Sequence, residues 1–186
     1  MRMIWKLLIF GAPLCPLSHP ARPDPAGGNV LSPLGHVAFC ERYPDDCRPV
    51  EQSPLLENSA TARQAQLALV HSAVNASIAP RTDGDLVDLD WVIAPAAGDC
   101  DDYAVTKRHE LLKAGWASAH LLLAEVALKA TGEHHLILLV RDGETIWVLD
   151  NLRDDVVPLN RVRDDYVWKR IESERDPRIW TRSIPG

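Results

Sequence analysis

The spacing of apolar residues changes once along the chain, and this change constrains the fold more than any other feature of the sequence. Over residues 55–78 apolar side chains recur at helical spacing, and a second helix is predicted from about residue 99 to Leu112. After Gly115 the period changes to two, which is typical of strands. The predicted strands are 117–128, 134–141, 144–150 and 166–171. Helices followed by strands predict an α+β fold with an antiparallel sheet.

The N-terminal part of the chain has a different character. Residues 12–54 are rich in proline and glycine, which predicts an extended or irregular arm. The first 25 residues resemble a secretory signal segment, because Arg2 and Lys6 accompany the apolar stretch 7–12. Lys6 interrupts the apolar run, so an N-terminus without a targeting role is the alternative. We predict a signal segment over 1–25 and a single domain over 26–186.

Overall charge and hydropathy exclude two classes of partner. The 186 residues carry a formal net charge of −6 with a pI near 5.6. Nucleic acids and anionic membrane surfaces reward clustered Lys and Arg, so neither is expected as the main partner. No apolar run approaches the roughly 20 residues of a membrane-spanning helix, so no transmembrane segment is predicted.

The four cysteines separate into three groups. Cys40 and Cys47 flank a turn-forming stretch, residues 43–46, that can bring two Cα atoms within disulfide range. We predict a disulfide between them, and two free thiols of a cytosolic protein are the alternative. Cys15 would leave with a cleaved signal. Cys100 then remains unpaired, and an unpaired cysteine in an exported protein is a candidate nucleophile.

Cys100 lies in the acidic run Gly98-Asp99-Cys100-Asp101-Asp102-Tyr103 at the start of the second predicted helix. The free N–H groups and the positive end of a helix favour a thiolate and can stabilise an oxyanion. The alternatives are that Asp99 is a plain N-cap, that Asp101 and Asp102 are ordinary first-turn acids, and that Cys100 is a buried, inert thiol.

A base for this thiol is predicted from a hairpin. Asp142-Gly143 is a two-residue turn signal, and pairing Arg141 with Glu144 across it places residue 135 opposite residue 150. His135 and Asp150 would then share one face of the sheet, with the carboxylate orienting the imidazole. His134 would point to the other face. A surface His–Asp pair at a strand end is the alternative interpretation.

The chain resembles the bacterial transglutaminase-like cysteine peptidases. The resemblance is carried by Trp91, Pro95, the block from Gly98 to Ala104, Lys107, Leu111, Gly115, Gly132-Glu133-His134-His135 and Leu149-Asp150-Asn151, and also by the stretch from Phe39-Cys40 to Cys47. It implies a papain-like, transglutaminase-core fold in which the catalytic helix packs on an antiparallel sheet. It also implies that Cys100 is the nucleophile, His135 the general base and acid, and Asp150 the residue that orients His135.

The resemblance also implies a function and a location. A periplasmic endopeptidase is expected, which hydrolyses a protein substrate such as a cell-surface adhesin through a thioester, under an inner-membrane regulatory receptor. Calcium is expected at Asp99 and Asp101, although the family usually has Glu where this chain has Asp101. Carboxylates beside a thiol oppose its ionisation, and a divalent cation would cancel that effect. Acyl transfer by a transglutaminase or amidase, and a non-catalytic calcium- or protein-binding module, are the alternatives.

Overall fold

The structure is a computed structural model that describes residues 28–49, 58–81 and 90–182. The predicted signal segment and Cys15 lie outside the described residues. The helices are α1 (Leu34–Arg42), α2 (Ala60–Ser77), α3 (Cys100–Lys113) and α4 (Leu159–Val162). The strands are β1 (Asn29–Val30), β2 (Ala79–Pro80), β3 (Ala97–Gly98), β4 (Leu121–Leu128), β5 (His134–Asp142), β6 (Thr145–Leu149), β7 (Val157–Pro158), β8 (Tyr166–Glu172) and β9 (Trp180–Thr181). In this part of the chain, none of the helices combines the length and the apolar character that crossing a bilayer requires.

The main sheet is antiparallel, with the strand order β1-β9-β8-β4-β5-β6-β7. The central strands β4 and β5 pair over seven residues, from Leu121 opposite Val140 to Ala127 opposite His134. A separate parallel pair, β2 and β3, joins the end of α2 to the start of α3. Helices packed on an antiparallel sheet confirm the predicted α+β class.

The two faces of the main sheet bury separate apolar clusters. Helix α3 covers one face, where Ala104, Val105 and Leu111 pack among the inward residues of β4 and β5. Helix α4 covers the other face through Leu159 and Val162. Because both faces are covered, β4 and the middle of β5 are nearly continuous apolar runs whose successive side chains enter opposite clusters. Helix α3 is held between this sheet and α2, and its first residue, Cys100, lies at one end of the interface.

The prediction of an irregular arm is wrong for residues 34–47, which form α1 and a following 3-10 turn over Pro44–Cys47. The buried face of α1 carries His36, whose Nε2 lies 2.9 Å from Glu172 Oε1. Both side chains are 1% exposed. Cys40 and Cys47 form a disulfide with Cα atoms 5.5 Å apart, as their spacing predicts. These long-range contacts stabilise a segment whose local sequence is a poor helix signal.

The predicted register of the β5–β6 hairpin is also wrong. Asp142 pairs with Thr145, so the loop is Gly143-Glu144 instead of Asp142-Gly143. Gly143 has a φ of +61°, and glycine at the first loop position is the mark of a type II′ turn. The Asp142 carboxylate is held in the strand by Arg63 Nε of α2 at 2.7 Å. β5 is therefore one residue longer at the turn than the dipeptide signal indicates, and β6 begins one residue later, at Thr145.

The corrected register changes the relation between His135 and Asp150. The ladder ends at Leu138 opposite Leu149, and its continuation would place residue 137, not residue 135, opposite residue 150. The offset between the two residues is thus two positions. Because side chains alternate with a period of two, an offset of two keeps both side chains on the same face. His135 and Asp150 are therefore diagonal neighbours on the two strands, whereas the sequence predicts that they lie directly opposite each other.

Candidate active site

Two aspartates, Asp99 and Asp102, cap the N-terminus of α3. Asp99 is the N-cap, and its side chain accepts a hydrogen bond from Asp101 N at 3.2 Å. Asp102 completes a capping box by accepting from Asp99 N, and its other oxygen accepts from Val92 N at 2.8 Å. A Cβ on Gly98 would lie 2.3 Å from Asp102 Oδ2, so only glycine fits beside this carboxylate. The box holds the first turn of α3 in place.

Cys100 is partly buried at the first position of α3. Its Sγ donates to Asp101 Oδ1 at 3.7 Å and also interacts with the backbone of Leu136, the residue after His135. Burial, followed by the negative charge of Asp101 and Asp99, raises the pKa of the thiol well above its ordinary value. The sequence prediction that the helix N-terminus favours a thiolate is therefore overridden in this structure by burial and by the flanking carboxylates.

His135 and Asp150 form a buried pair. His135 Nε2 lies 2.8 Å from Asp150 Oδ1, and the two residues are 3% and 2% exposed. Leu152 N donates to the same oxygen at 2.9 Å, and Tyr166 Oη donates to Asp150 Oδ2 at 2.6 Å. Burial alone would raise the pKa of Asp150, but His135, Tyr166 and Leu152 bring it down to about 2. Asp150 is thus a fixed anion that holds the imidazole in one orientation.

The structure does not join the three predicted triad residues by hydrogen bonds. Strand alternation places His135 on the sheet face of Ile137 and Leu139, whereas Cys100 packs with α3 against the face of Leu136 and Leu138. His135 contacts Asp150, and the thiol contacts the backbone of Leu136. The hydrogen bond that the thiol makes is to Asp101, so a bond between Cys100 and the His135 ring stays a prediction. His134 is exposed and pairs with Glu125 at 3.2 Å, separately from Asp150.

The predicted metal ligands converge beside the thiol. One ligand atom from each of Asp99, Cys100 and Asp101 lies within 4.8 Å of the others. Burial, followed by the charge of Asp99, raises the pKa of Asp101 to about 7. The charge of His134 opposes this shift. Two carboxylates supply hard oxygen ligands, so Asp99 and Asp101 fit a calcium ion, whereas the thiol is a poor ligand for one.

Sequence reasoning missed Tyr166 and Lys107 as parts of the site. Tyr166 begins a predicted strand, but nothing near it in sequence indicates a bond to Asp150, sixteen positions away. Lys107 is fully buried, and its Nζ has no hydrogen-bond partner within the described ranges. Burial lowers the pKa of Lys107 to about 7, and the charge of Asp150 opposes that shift. The interaction of Lys107 with the charge of Asp150 depends on the tertiary fold, which the sequence pattern does not give.

The model of the bacterial transglutaminase-like cysteine proteinase family (BTLCP) matches residues 26–184. The chain belongs to this family. Membership confirms the predicted family and the enzyme class, because the family is one of cysteine proteinases. It also agrees with a fold in which a helix carrying Cys100 packs on an antiparallel sheet.

The structure is similar to solved structures of LapG from Legionella pneumophila. The calcium-bound form of LapG aligns with a TM-score of 0.57 and 22% identity over 67% of this chain and 71% of the LapG chain. A second LapG structure aligns with a TM-score of 0.49 and 22% identity over 57% of this chain and 63% of LapG. This BTLCP chain therefore matches just under two thirds of the latter LapG chain. The comparison with curated protein sequences finds no match.

Proposed function

We propose that this protein is a cysteine endopeptidase in which Cys100 attacks the peptide carbonyl, His135 transfers protons and Asp150 orients His135. The buried His135–Asp150 pair is the observation that carries the proposal. A buried histidine with a carboxylate on one ring nitrogen has its other nitrogen available for proton transfer. Cys100 lies beside the backbone of Leu136, the residue after His135.

The reaction proceeds in two balanced steps. His135 takes the thiol proton, and the Cys100 sulfur forms a bond to the carbonyl carbon of the substrate. The C–N bond then breaks, the amine leaves with the proton from His135, and a thioester remains on Cys100. His135 next takes a proton from water, the hydroxyl displaces the sulfur, and the carboxylic acid leaves as the thiol regains its proton. The amides and dipole at the start of α3 stabilise the oxyanion in both steps.

The test measures peptide cleavage by the Cys100→Ala, His135→Gln and Asp150→Asn variants. We expect Cys100→Ala and His135→Gln to lose more than 1,000-fold in kcat/KM and Asp150→Asn to lose at least 100-fold. The matched controls are His109→Gln, on the same helix as Cys100, and Asp155→Asn, an exposed acid after β6. Both controls are expected to retain wild-type activity.

Product mass separates hydrolysis from acyl transfer. Hydrolysis leaves a free carboxyl group, whereas transfer adds the mass of an amine, so a supplied primary amine that appears in the product would identify a transferase. Alkylation separates catalysis from a binding module. If Cys100 reacts with iodoacetamide no faster than a free model thiol at neutral pH, in calcium, then the activated-nucleophile proposal is wrong.

Calcium binding at Asp99 and Asp101 forms a second part of the proposal. It is supported by the convergence of these carboxylates and by the raised pKa of Asp101. When bound, the ion would compensate the negative charge around Cys100 and so lower the pKa of its thiol. The LapG structure that aligns with a TM-score of 0.57 is a calcium-bound form, which is consistent with such a site.

The calcium proposal has readouts other than activity. We expect calorimetry to detect one calcium ion per chain for wild type and none for the Asp99→Asn, Asp101→Asn double variant. The control is the Asp154→Asn, Asp155→Asn pair, which removes two adjacent exposed acids elsewhere. Chelation should slow alkylation of Cys100, and added calcium should restore it. Full alkylation rate and full activity in excess chelator would contradict the proposal.

We further propose that the protein works in the periplasm on a cell-surface protein such as an adhesin. The Cys40–Cys47 disulfide supports an oxidising compartment, and the basic and apolar segment at the start of the chain supports export. Surface proteomics of cells that carry wild type or Cys100→Ala tests this proposal. A fragment of the substrate should be released from the cell surface only in cells that carry the wild-type protein. The inner-membrane regulatory receptor stays a prediction from the family resemblance.

A further inference from the structure

A groove of about 860 Å³ opens across the main sheet beside the candidate site. Its lining includes Glu125 of β4 and Arg170 of β8. Glu125 lies on the same face as Leu121 and Leu123, which pack in the cluster that α3 covers. The groove therefore occupies the part of that face that continues beyond the helix.

Three charged side chains on adjacent strands form the floor of the groove. His134 Nε2 lies 3.2 Å from Glu125 Oε1, and Arg170 Nε donates to Glu125 Oε2. Arg170 also donates to the carbonyl of Leu31, which follows β1. Both oxygens of Glu125 are thus occupied, and its negative charge is compensated by groups within the floor. The floor is held in place and carries little net charge.

Two further cationic side chains line the groove, and their positive charge is not compensated by an ion pair in the part of the chain that the structure describes. Lys169 and Arg182 line the groove, both are exposed, and neither forms an ion pair with another residue of the described ranges. Glu125 pairs with Arg170 and Val126 pairs with Trp168, so Lys169 is the extra residue of a β-bulge. A bulge redirects the side chain of its extra residue. The groove is therefore locally positive in a chain whose net charge is −6.

One end of the groove lies near the part of β5 that contacts the candidate nucleophile. His134 lines the groove, and Leu136, two residues later on β5, contacts the Cys100 thiol through its backbone. Strands in a sheet lie about 4.8 Å apart, so Lys169 on β8 is roughly 10 Å from β5 across β4. Arg182, just after β9, is one strand further, at roughly 14 Å. An extended peptide rises about 3.3 Å per residue and covers these distances in about three to four residues.

We infer that the groove binds an extended segment of the substrate and that Lys169 and Arg182 select an acidic side chain about two to five residues from the cleaved bond. This inference rests on the proposed peptidase function and names the substrate class of the same site. The carboxylate would be held by two partly solvated ion pairs, each of which contributes a modest free energy. The groove thus acts in specificity and leaves the chemistry at Cys100 unchanged.

The experiment digests a proteome-derived peptide library with the full chain, disulfide intact, in the presence of calcium, and reads the cleavage sites by mass spectrometry. We expect Asp and Glu to be enriched at a position two to five residues from the cleaved bond. The Lys169→Glu, Arg182→Glu variant should lose about tenfold in kcat/KM on an acidic peptide and gain activity on its Lys-substituted counterpart. The control, Lys129→Glu with Arg161→Glu, makes the same charge change elsewhere and should keep the wild-type preference.

The outcomes separate this inference from the proposed function. Cleavage by wild type without an acidic preference, or an acidic preference that survives the Lys169→Glu, Arg182→Glu change, would overturn the inference and leave the peptidase proposal standing. No cleavage by wild type, together with slow alkylation of Cys100, would overturn both. Equal melting temperatures and equal alkylation rates of Cys100 in wild type and variant show that the change in preference does not arise from misfolding.

Discussion

Tyr166→Phe removes a single hydroxyl from the candidate site, and its effect can be worked out from the structure. The hydroxyl donates to Asp150 Oδ2 at 2.6 Å, and Asp150 is 2% exposed. A hydrogen bond to a charged group contributes about 1.5–3 kcal/mol. We therefore expect Tyr166→Phe to lose about 1.5–3 kcal/mol in the free energy of unfolding at pH 7. For a chain of this size the melting temperature should fall by roughly 3–12 °C.

The effect should depend on pH in a definite direction. The folded pKa of Asp150 is about 2, below its ordinary value of 3.8. The stability that its ionised form contributes, roughly 2 kcal/mol, is present above about pH 4 and is lost as the pH falls toward 2. Removal of the Tyr166 hydroxyl raises the folded pKa toward the ordinary value. The stability difference between wild type and Tyr166→Phe should therefore be largest near pH 7 and narrow toward pH 2.

The assay is urea denaturation of four proteins: wild type, Tyr166→Phe, Asp150→Asn and the double variant, at pH 7 and at pH 3. In the Asp150→Asn background the hydroxyl meets a neutral amide, so its removal should cost only about 0.5–1.5 kcal/mol. The reasoning is refuted if Tyr166→Phe is as stable as wild type at pH 7. It is also refuted if the loss is the same at both pH values and in both backgrounds, because then packing and not the bond to the Asp150 anion would be responsible.

Two further predictions concern the framework around the site. Gly98→Ala places a Cβ against the Asp102 carboxylate and should cost roughly 2 kcal/mol or more through loss of the capping box, measured by urea denaturation, whereas Gly28→Ala, with no atom within 4 Å of the new Cβ, should stay within about 0.5 kcal/mol of wild type. Replacement of Cys40 and Cys47 by Ala should cost about 2–3 kcal/mol, because the disulfide closes a short loop of sequence separation 7. Reduced wild type should lose a similar amount; a double variant as stable as the oxidised protein would contradict this.

The sequence pattern predicts α2, α3 and the four longest strands, β4, β5, β6 and β8, in their observed order because their periodicity is local. The predicted strands that correspond to β5 and β8 begin at the observed residues, His134 and Tyr166. Helix α3 begins at Cys100, after the Asp99 cap that the acidic run indicates. These features depend on residues within a few positions of one another, so the local sequence is enough to predict them.

The features that sequence reasoning missed depend on contacts between distant residues. Helix α1 is stabilised by the hydrogen bond between His36 and Glu172, which are 136 positions apart. The local composition of α1 therefore does not predict a helix. The hairpin sequence Asp142-Gly143-Glu144 is compatible with two turn types, and the choice between them involves Arg63 of α2. The two-position error in register left His135 and Asp150 on one face, which is why the predicted pair meets although its predicted geometry is wrong.

The central claim is that Cys100 carries the acyl group during peptide-bond cleavage, and the most direct test is intact-mass spectrometry of the protein quenched in acid during turnover of a peptide ester. The account predicts an acyl adduct that maps to Cys100, is absent from Cys100→Ala, and forms far more slowly in His135→Gln. An adduct on any other residue, or hydrolysis of the ester by Cys100→Ala at the wild-type rate, would contradict it.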